Sequence, residues 1–523
     1  MSLPNSIESI YDIVRPNKGQ RITLPKPYGS ADSLIIANWI KKKNNSNIEK
    51  KGVKRLIICN SQETADRIHE EVNYLIPNKN VKLFSDWETL PYEPFSPHKD
   101  LISDRLLCLY ETAMAITDAI VINAETSLFR IVPQDFIAAK TFFFRSGQTL
   151  PLNKLRTQLD IAGYDKTNQV ISPGEFSIRG NIIDLFPMGS NLPFRIELSD
   201  EEIETIRLFD PDSQRSIHMV KEIRILPSKE FENTKENADN FRSNWRKIFE
   251  GDPTKCSLYK DAGNTLFGAG IEYYLPLLHS KLTSIFSYLS KNAEIVLIGN
   301  VSESIENHFN NIKQRYEFLK HDIERPVLEP EMIALSPSDW FSELNSFPQF
   351  SFVEKSSKEP SEALPKISIN RKSSNPYQLL KNTVEKSNFK QIIVIITENL
   401  GRAETLYSNL KDNEIKSQLI SSWSEIEKLI NKFPNIAHSV IYITAGNIHK
   451  GFVSKWLNLV LITESDLFEE FYRSRKKQNS KDETNFENLI KDLSELKLGS
   501  AVVHIDHGVG RYRGLTHLNF GDG

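Results

Sequence analysis

Residues 53–74 read VKRLIICNSQETADRIHEEVNY, a short apolar run followed by a polar break and a longer amphipathic segment. Apart from Lys54 and Arg55, the run 53–59 is apolar and contains three β-branched residues, which is typical of a buried strand. Ser61 can cap a helix through its hydroxyl, and apolar residues then recur at helical spacing through Tyr74. The stretch therefore predicts a strand followed directly by a helix, the unit from which α/β layers are built.

The same alternation continues on the C-terminal side of this stretch. Strands are predicted at 81–84 and 119–123, with a helix at 101–114 between them. Further helices at 238–249 and 302–323 flank a predicted strand at 294–298. We interpret these segments as two halves of one α/β domain with a mainly parallel sheet.

Between the two halves, residues 141–227 alternate apolar and polar residues with Gly and Pro between the runs, which predicts a β-rich insert. Within it, 194–198 and 203–209 are predicted to form a hairpin around the polar turn Ser199-Asp200-Glu201-Glu202. A second α/β domain is predicted further along the chain from strands at 391–397, 439–444 and 459–463. The predicted division is 1–140 and 228–350 for the first domain, 141–227 for the insert, 351–376 as linker, 377–470 for the second domain, 471–497 as charged linker, and 498–523 as the truncated start of a β domain.

Composition limits the classes of function. The chain has 523 residues and a formal net charge of -3, so a surface that is basic throughout, as on a dedicated nucleic-acid coat, is excluded. The three cysteines lie far apart in the sequence and form no CxxC motif, so neither a disulfide framework nor a cysteine zinc site is predicted. The longest apolar runs are strand-sized, well below the ~20 residues of a membrane span, and no signal peptide is evident. We expect a cytoplasmic protein.

A phosphate-binding loop is the first chemical site to look for in such a fold. The candidate, residues 27–33 (PYGSADS), has one glycine, no lysine at the required place, and Asp32, which would repel phosphate. The segment 459–466 (LVLITESD) resembles a strand that ends in magnesium-binding acids, but without a phosphate loop a structural role for these acids is favoured. No catalytic residue, cofactor or metal site is predicted; an enzymatic alternative would depend on Glu464.

The loop at 86–98 (DWETLPYEPFSPH) offers Trp87, Tyr92 and Phe95 as stacking surfaces for single-stranded nucleic acid. Residues 86–100 contain four acids against the single Lys99, which favours a loop packed on its own domain. The basic stretch 473–477 is the other candidate for DNA contact. Strong DNA binding is not expected.

The most informative segment is 174–187, GEFSIRGNIIDLFP. In a strand, Ser177 and Arg179 lie on the face opposite Phe176 and Ile178. Arg195 and Arg207 can extend this polar face, and arginines on a rigid sheet suit bidentate capture of a partner's carboxylates. The alternative is pairing within the hairpin, with Glu197, Glu201, Glu202 or Glu204; the residues alone do not separate the two.

Four segments carry a resemblance to the transcription-repair coupling factor family: 86–105 (DWETLPYEPFSPHKDLISDR), 174–187, 268–275 (GAGIEYYL) and 502–515 (VVHIDHGVGRYRGL). The first three are also similar to UvrB, a component of the repair excinuclease. The fourth resembles the start of a CarD-like, RNA-polymerase-interacting domain and separates the two families.

The resemblance implies a UvrB-like module up to about residue 350, with a degenerate helicase-like (P-loop-type) sheet that has lost ATP binding. It implies that the insert docks UvrA, the damage-recognition component of the same excinuclease, through arginines that match Arg179 and Arg195. Ser199 stands where the family carries an aromatic residue, a departure that concerns the strength of docking and not its location. UvrB's aromatic DNA-clamping hairpin is expected to be absent, because the chain passes directly into a helix after His98.

The resemblance also implies what the whole family protein does. It continues into motor lobes that use ATP and Mg²⁺ to push on stalled RNA polymerase, whereas this chain stops at Gly523, inside the polymerase-binding segment. The expectation is therefore a non-enzymatic platform for transcription-coupled nucleotide-excision repair that recruits UvrA, with the docking surface constantly exposed. The alternative is a UvrB-like helicase-fold protein that binds DNA or nucleotide directly.

Overall fold

A computed structural model describes residues 7–42, 53–354, 360–369, 375–386, 391–432, 440–468, 501–504 and 508–511. None of the helices in these ranges is long and apolar enough to cross a membrane. The predictions for 471–497, including the basic stretch 473–477, lie outside the described residues.

The first part of the chain alternates strands and helices, as predicted. Val53–Cys59 is buried, and the Ser61 hydroxyl accepts a hydrogen bond from the Thr64 N–H, which confirms the predicted strand and helix cap. The elements in chain order are α1 (Ile7–Tyr11), β1 (Arg21–Pro25), α2 (Ala31–Lys41), β2 (Val53–Cys59), α3 (Gln62–Leu75), β3 (Val81–Leu83), α4 (Lys99–Ala113), β4 (Ala119–Asn123), α5 (Ala124–Leu128) and α6 (Gln134–Ala139).

The insert is built around a six-stranded sheet and also contains helix α7, which the alternating pattern did not predict. Its elements are β5 (Phe142–Arg145), α7 (Leu152–Ile161), β6 (Asp165–Lys166), β7 (Glu175–Arg179), β8 (Ile182–Phe186), β9 (Phe194–Ser199), β10 (Glu202–Phe209), β11 (Ser216–Val220) and β12 (Glu222–Ile225). Strands β9 and β10 pair antiparallel, which confirms the predicted hairpin. Strands β5 and β12 pair with each other where the chain enters and leaves the insert.

After the insert the chain returns to the first sheet. The elements are α8 (Lys235–Ile248), α9 (Ser257–Ala262), α10 (Leu275–Leu278), β13 (Leu289–Ile298), α11 (Val301–Leu319), α12 (Pro330–Ile333), α13 (Pro337–Leu344) and β14 (Gln349–Val353). The sheet order is β1-β14-β13-β2-β4-β3, and every pair is parallel. Because β13 and β14 lie between β1 and β2, the two halves share one sheet and form a single α/β unit, here called the first unit.

The second α/β unit has its own six-stranded sheet, in the order β15-β19-β20-β16-β18-β17. Its elements are β15 (Ser361–Glu362), α14 (Gln378–Lys386), β16 (Ile392–Thr397), α15 (Leu400–Asp412), β17 (Ser417–Leu419), α16 (Trp423–Lys432), β18 (Ile441–Ala445), β19 (Phe452–Ser454), β20 (Leu459–Thr463) and α17 (Glu464–Leu467). The stretch 351–376, predicted as a linker, supplies β15 to this sheet and buries Ile367, so this part of the chain is not a free linker.

The C-terminal segment is described for two short antiparallel strands, β21 (Ala501–His504) and β22 (Gly508–Arg511). The chain is therefore a mixed α/β protein with several sheets, which confirms the predicted α/β multidomain class at that level.

Candidate partner-binding site

The insert sheet packs one apolar face on the core, as the alternation predicts, and its opposite face carries polar residues beside a small buried cluster of Val170, Phe186 and Phe209. On the apolar face Phe176, Ile183, Ile196 and Ile206 are buried in the main core. The side chains between them alternate to the opposite face. Burial of the apolar face fixes the orientation of the sheet, and with it the orientation of the polar residues on the opposite face.

Register brings the polar residues of four strands into one row. Ser177 of β7 pairs with Asp184 of β8, Asp184 with Arg195 of β9, and Arg195 with Arg207 of β10. Directly opposed residues on one face lie about 5 Å apart, within reach of a shared carboxylate. We call Arg179, Asp184, Arg195 and Arg207 the arginine face.

Asp184 organises this face. Its carboxylate accepts two hydrogen bonds from Arg195, from Nε at 2.7 Å and from Nη2 at 2.9 Å. It also accepts one from Arg179 Nη2 at 2.5 Å. The hydrogen bonds to Asp184 raise the pKa of Arg195, so the guanidinium stays charged. One buried acid therefore orients two arginines, a bidentate geometry that suits guanidinium and carboxylate groups.

The three predicted arginines differ in how accessible they are. The side chain of Arg179 is 58% exposed, that of Arg195 19%, and that of Arg207 35%. Arg195 also donates to the Gln214 carbonyl and lies over the Phe209 ring at 4.8 Å. Arg179 is therefore the guanidinium most open to a partner, whereas Arg195 is largely held within the sheet.

Pairing within the sheet takes a different form from the predicted one. Arg207 lies 3.6 Å from Glu197, which is one of the predicted partners. The main acid is instead Asp184, which sequence reasoning did not select. A signal existed, because Asp184 is the only acid in the apolar run of β8 and falls on the same face as Ser177.

Ser199 lies at the end of the β9–β10 hairpin. It is exposed and pairs with Glu202, leaving Asp200 and Glu201 as the turn, with Asp200 in a left-handed conformation at φ 54°. Its side chain therefore points to solvent at the rim of the sheet and adds no apolar surface.

The insert is tied to the first unit next to this sheet. Lys99 of α4 forms ion pairs with Asp165 at 3.0 Å and with Glu175 at 3.3 Å. Glu175 also accepts hydrogen bonds from the backbone N–H groups of Ile171 and Ser172. Burial alone would raise the pKa of Glu175, but these hydrogen bonds and the Lys99 charge hold it below its ordinary value. The insert is therefore oriented by charged contacts at its base.

The loop at 86–98 is packed on its own domain, as favoured from the sequence. Trp87 and Tyr92 are buried in the core, and only Phe95 of the three aromatic residues is exposed. The Arg105 guanidinium lies over the Phe84 and Trp87 rings at 4.2 and 4.9 Å. His98 precedes α4 directly, which confirms the predicted passage into a helix.

The acids after β20 have internal partners. Glu464 accepts a hydrogen bond from Arg402 at 2.9 Å, and Asp466 caps α17 through Thr463. These contacts support the structural interpretation of both acids. Within the described ranges no group of three or more His, Cys, Asp or Glu side chains could hold a metal ion.

Three family models match successive parts of the chain: the insert, the second unit and the C-terminal segment. A model described as UvrB interaction domain matches residues 142–231, one described as MFD, D3 domain matches 386–467, and one described as CarD-like/TRCF RID domain matches 496–522. The arginine face lies inside the first match. The fold and these matches define a multidomain α/β protein that carries a UvrB-type interaction domain.

Whole-chain comparisons lead to one family. The transcription-repair-coupling factor of Escherichia coli K12 is 35% identical over 476 residues, which cover 89% of this chain and 40% of that protein. The factor of Haemophilus influenzae is 32% identical over 502 residues, covering 94% and 42%. That of Bacillus subtilis is 26% identical over 491 residues, covering 88% and 40%. The chain belongs to the transcription-repair coupling factor family and spans about 40% of the length of these relatives.

Proposed function

We propose that this chain is the part of a transcription-repair coupling factor that recruits UvrA, the damage-recognition component of nucleotide-excision repair, and that it does so through the arginine face. The observation that carries the proposal is Arg179, a half-exposed guanidinium fixed by the buried Asp184 on the side of the sheet that faces away from the core. The match of 142–231 to a UvrB interaction domain supports the same location.

The chemistry of this face favours an acidic partner. Arg179 and Arg195 share one carboxylate, so the pair carries an excess of one positive charge, and the ion pair of Arg207 within the described part of the chain is with Glu197 at 3.6 Å. A preoriented guanidinium loses little side-chain entropy when it binds a carboxylate. Partner acids that reach Arg179 would form charge-assisted hydrogen bonds without reorganising the sheet.

The other roles of the family are proposed for the protein as a whole. We infer that the first unit is a degenerate helicase-like sheet that does not hydrolyse nucleotide, and that ATP and Mg²⁺ act in parts of the family protein not represented in this chain. We propose the same domain division as the sequence predicts, except that part of 351–376 belongs to the second unit through β15. RNA polymerase is the second proposed partner, supported by the CarD-like match at 496–522.

The alternative function, direct binding of DNA or nucleotide, has less support. Trp87 and Tyr92 are buried and offer no stacking surface for bases. The segment 27–33 has no lysine, and its Asp32 is fully buried. No observation on the described residues favours this function over docking.

Isothermal titration calorimetry of the chain with purified UvrA tests the proposal. We expect saturable binding in the micromolar range or tighter, weakening as salt rises because charged groups meet across the interface. Absence of binding at micromolar concentrations at low salt would contradict the proposal. An ATPase assay on the same preparation separates the enzymatic alternative, since turnover that is lost on Glu464→Gln would favour it.

A further inference from the structure

The loop of the second unit at residues 446–451 rests on the loop that precedes α2 of the first unit. Residues 27–33 follow the parallel strand β1 at its carboxyl end and include the first residues of α2. In nucleotide-binding proteins a loop in this position turns its backbone N–H groups toward a phosphate, aided by the helix N-terminus. Here the same position is covered by another part of the chain.

Three backbone donors of this loop already have oxygen acceptors. The Ser30 N–H donates to the Lys450 carbonyl at 3.0 Å, and the Tyr28 N–H donates to the Ser361 hydroxyl at 2.7 Å. The Ser33 N–H donates to the carboxylate of Asp32 at 2.7 Å. Two of the three acceptors therefore come from the second unit, and the third is a side chain of α2 itself.

The contact is reciprocal and close. The Lys450 N–H donates to the Ser30 hydroxyl at 3.0 Å, and that hydroxyl donates to Glu71 at 2.5 Å. A Cβ placed on Gly29 would lie 2.5 Å from the Gly451 carbonyl oxygen, so the two backbones leave no room between them. A phosphate at this place would have to displace the second unit.

The charged groups at this contact pair with one another. Glu71 and Asp32 are fully buried and share Arg67, which bonds Glu71 at 2.9 Å and Asp32 at 2.7 Å. His449 of the second unit donates its backbone N–H to Glu71 at 2.9 Å and places Nδ1 3.2 Å from the same oxygen. Without the second unit, Glu71 would lose two of these partners, and a buried carboxylate that loses partners is costly.

We propose that the second α/β unit serves as an internal lid on the phosphate-loop position of the first unit, with the 446–451 loop taking the place of a ligand. The lid holds the N-terminus of α2 closed and makes the folding of this edge depend on the second unit. This assigns to the second unit a role that is independent of the arginine face.

Titration of His449 offers one readout of the lid. The hydrogen bond with Glu71 raises the pKa of His449 above 6.5, and burial opposes this shift. Burial alone would raise the pKa of Glu71, but the bonds from His449, Arg67, Ser30 and Ser33 hold it below its ordinary value. The charged groups that act on His449 are Glu71, Glu70 and Arg67 of α3, and Asp32 of α2 is linked to them through Arg67. In its own unit, the neighbouring Lys450 directs its ammonium to the Tyr28 ring, and Asp466 accepts from the Gly451 N–H. Because the pKa of His449 is raised in the folded state, the stabilisation that protonated His449 gives to this contact is complete below pH 6.5. It is lost as the pH rises through the pKa of His449 in the folded protein.

Hydrogen–deuterium exchange on the full chain tests the lid, with rates corrected for intrinsic pH dependence. In Gly446→Ala the new Cβ would enter the space of the Tyr74 ring on α3, which packs against Trp423 of the second unit, so the ring must shift and the contact between the units should loosen. We expect the backbone amides of both segments, 28–34 in the first unit and 446–451 in the second, to exchange at least about tenfold faster than in the wild type. Lys455→Ala is the matched control, because it breaks an exposed ion pair with Glu362 inside the second unit.

Two further variants keep the test decisive if Gly446→Ala folds poorly. Ser361→Ala removes only the hydroxyl that accepts the Tyr28 N–H and should loosen 28–34 to a smaller degree. Adding Tyr74→Ala to Gly446→Ala removes the clash and should restore part of the protection. In the wild type we expect residues 28–34 to exchange faster as the pH rises above 6.5, because the stabilisation from protonated His449 is lost, and His449→Ala should abolish this pH dependence. Unchanged exchange at 28–34 while 446–451 opens would overturn the proposal, because the first unit would then close this loop without the second.

Discussion

Asp184 of β8 lies opposite Arg195 of β9, and its carboxylate accepts hydrogen bonds from Nε and Nη2 of that arginine at 2.7 and 2.9 Å. The carboxylate is 1% exposed, so the pair is held in a site with little water. The same carboxylate fixes Arg179, which is mostly exposed. A buried acid thus sets the geometry of a surface that we propose for partner binding.

Replacing Asp184 should damage the arginine face more than replacing any of its arginines. Asp184→Asn leaves Arg195 and Arg179 facing each other without the compensating charge. Because Arg195 and Arg179 keep 19% and 58% of their side chains exposed, water partly compensates them, and we expect a loss of about 1–3 kcal/mol rather than the full cost of a buried unpaired charge. Hydrogen exchange of the β7–β10 amides should show this as a local loss of protection.

The exposed pair of Arg145 and Glu222 provides the control for that change. Both side chains are largely exposed, at 65% and 41%, and the pair lies on the two strands at the base of the insert. Glu222→Gln should change protection by no more than a few tenths of a kcal/mol, about the value of a surface ion pair. Equal losses in both variants would mean that Asp184 has no special structural role.

Two glycines in the segments that resemble the family should respond very differently to alanine. Both have positive φ, 60° at Gly180 and 74° at Gly270. A Cβ at Gly180 meets nothing within 4 Å, whereas at Gly270 it would lie 2.7 Å from the Glu93 carbonyl oxygen and clash with Arg325. Gly180→Ala should cost about 1 kcal/mol from backbone strain alone, and Gly270→Ala at least about 2 kcal/mol more from the clash.

Scanning calorimetry measures the thermal unfolding midpoint of each glycine variant, and we expect that of Gly270→Ala to be clearly lower than that of Gly180→Ala. The prediction is wrong if the two midpoints coincide. It is also wrong if Gly180→Ala is the more damaging of the pair.

The cysteines should be unreactive while the chain is folded. Cys59, Cys108 and Cys256 are free and buried. Burial raises the pKa of all three thiols, that of Cys108 to about 12, so the reactive thiolate is scarce at neutral pH. Labelling with Ellman's reagent at pH 8 should release little colour until denaturant is added, and then correspond to three thiols; rapid labelling of native protein would contradict the burial.

The sequence was most informative where a local pattern has a single physical solution. The apolar run 53–59 with Ser61 behind it predicted β2 and the cap of α3, and the two-residue alternation predicted the β9–β10 hairpin. The polar side of β7 could be predicted in the same way, because side chains alternate along any strand. Arg179 was placed correctly on this face.

The partners of these residues could not be predicted with the same success. Asp184 is brought to Arg195 by the register of β8 against β9, which depends on the turn between them. The contact of the 446–451 loop with 27–33 joins residues more than 400 positions apart, such as Lys450 and Ser30, and has no local signal. The short strand β15 was missed because two residues in a polar stretch carry no periodicity.

The central claim, docking of UvrA through the arginine face, is tested most directly by one charge reversal with a matched control. Arg179→Glu changes the exposed guanidinium, while Arg156→Glu makes the same change of charge on the exposed surface of α7 in the same insert. Isothermal titration calorimetry with UvrA should show at least tenfold weaker binding for Arg179→Glu, a loss of about 1.4 kcal/mol or more, and near wild-type binding for Arg156→Glu. Equal affinities of Arg179→Glu and wild type would contradict the account.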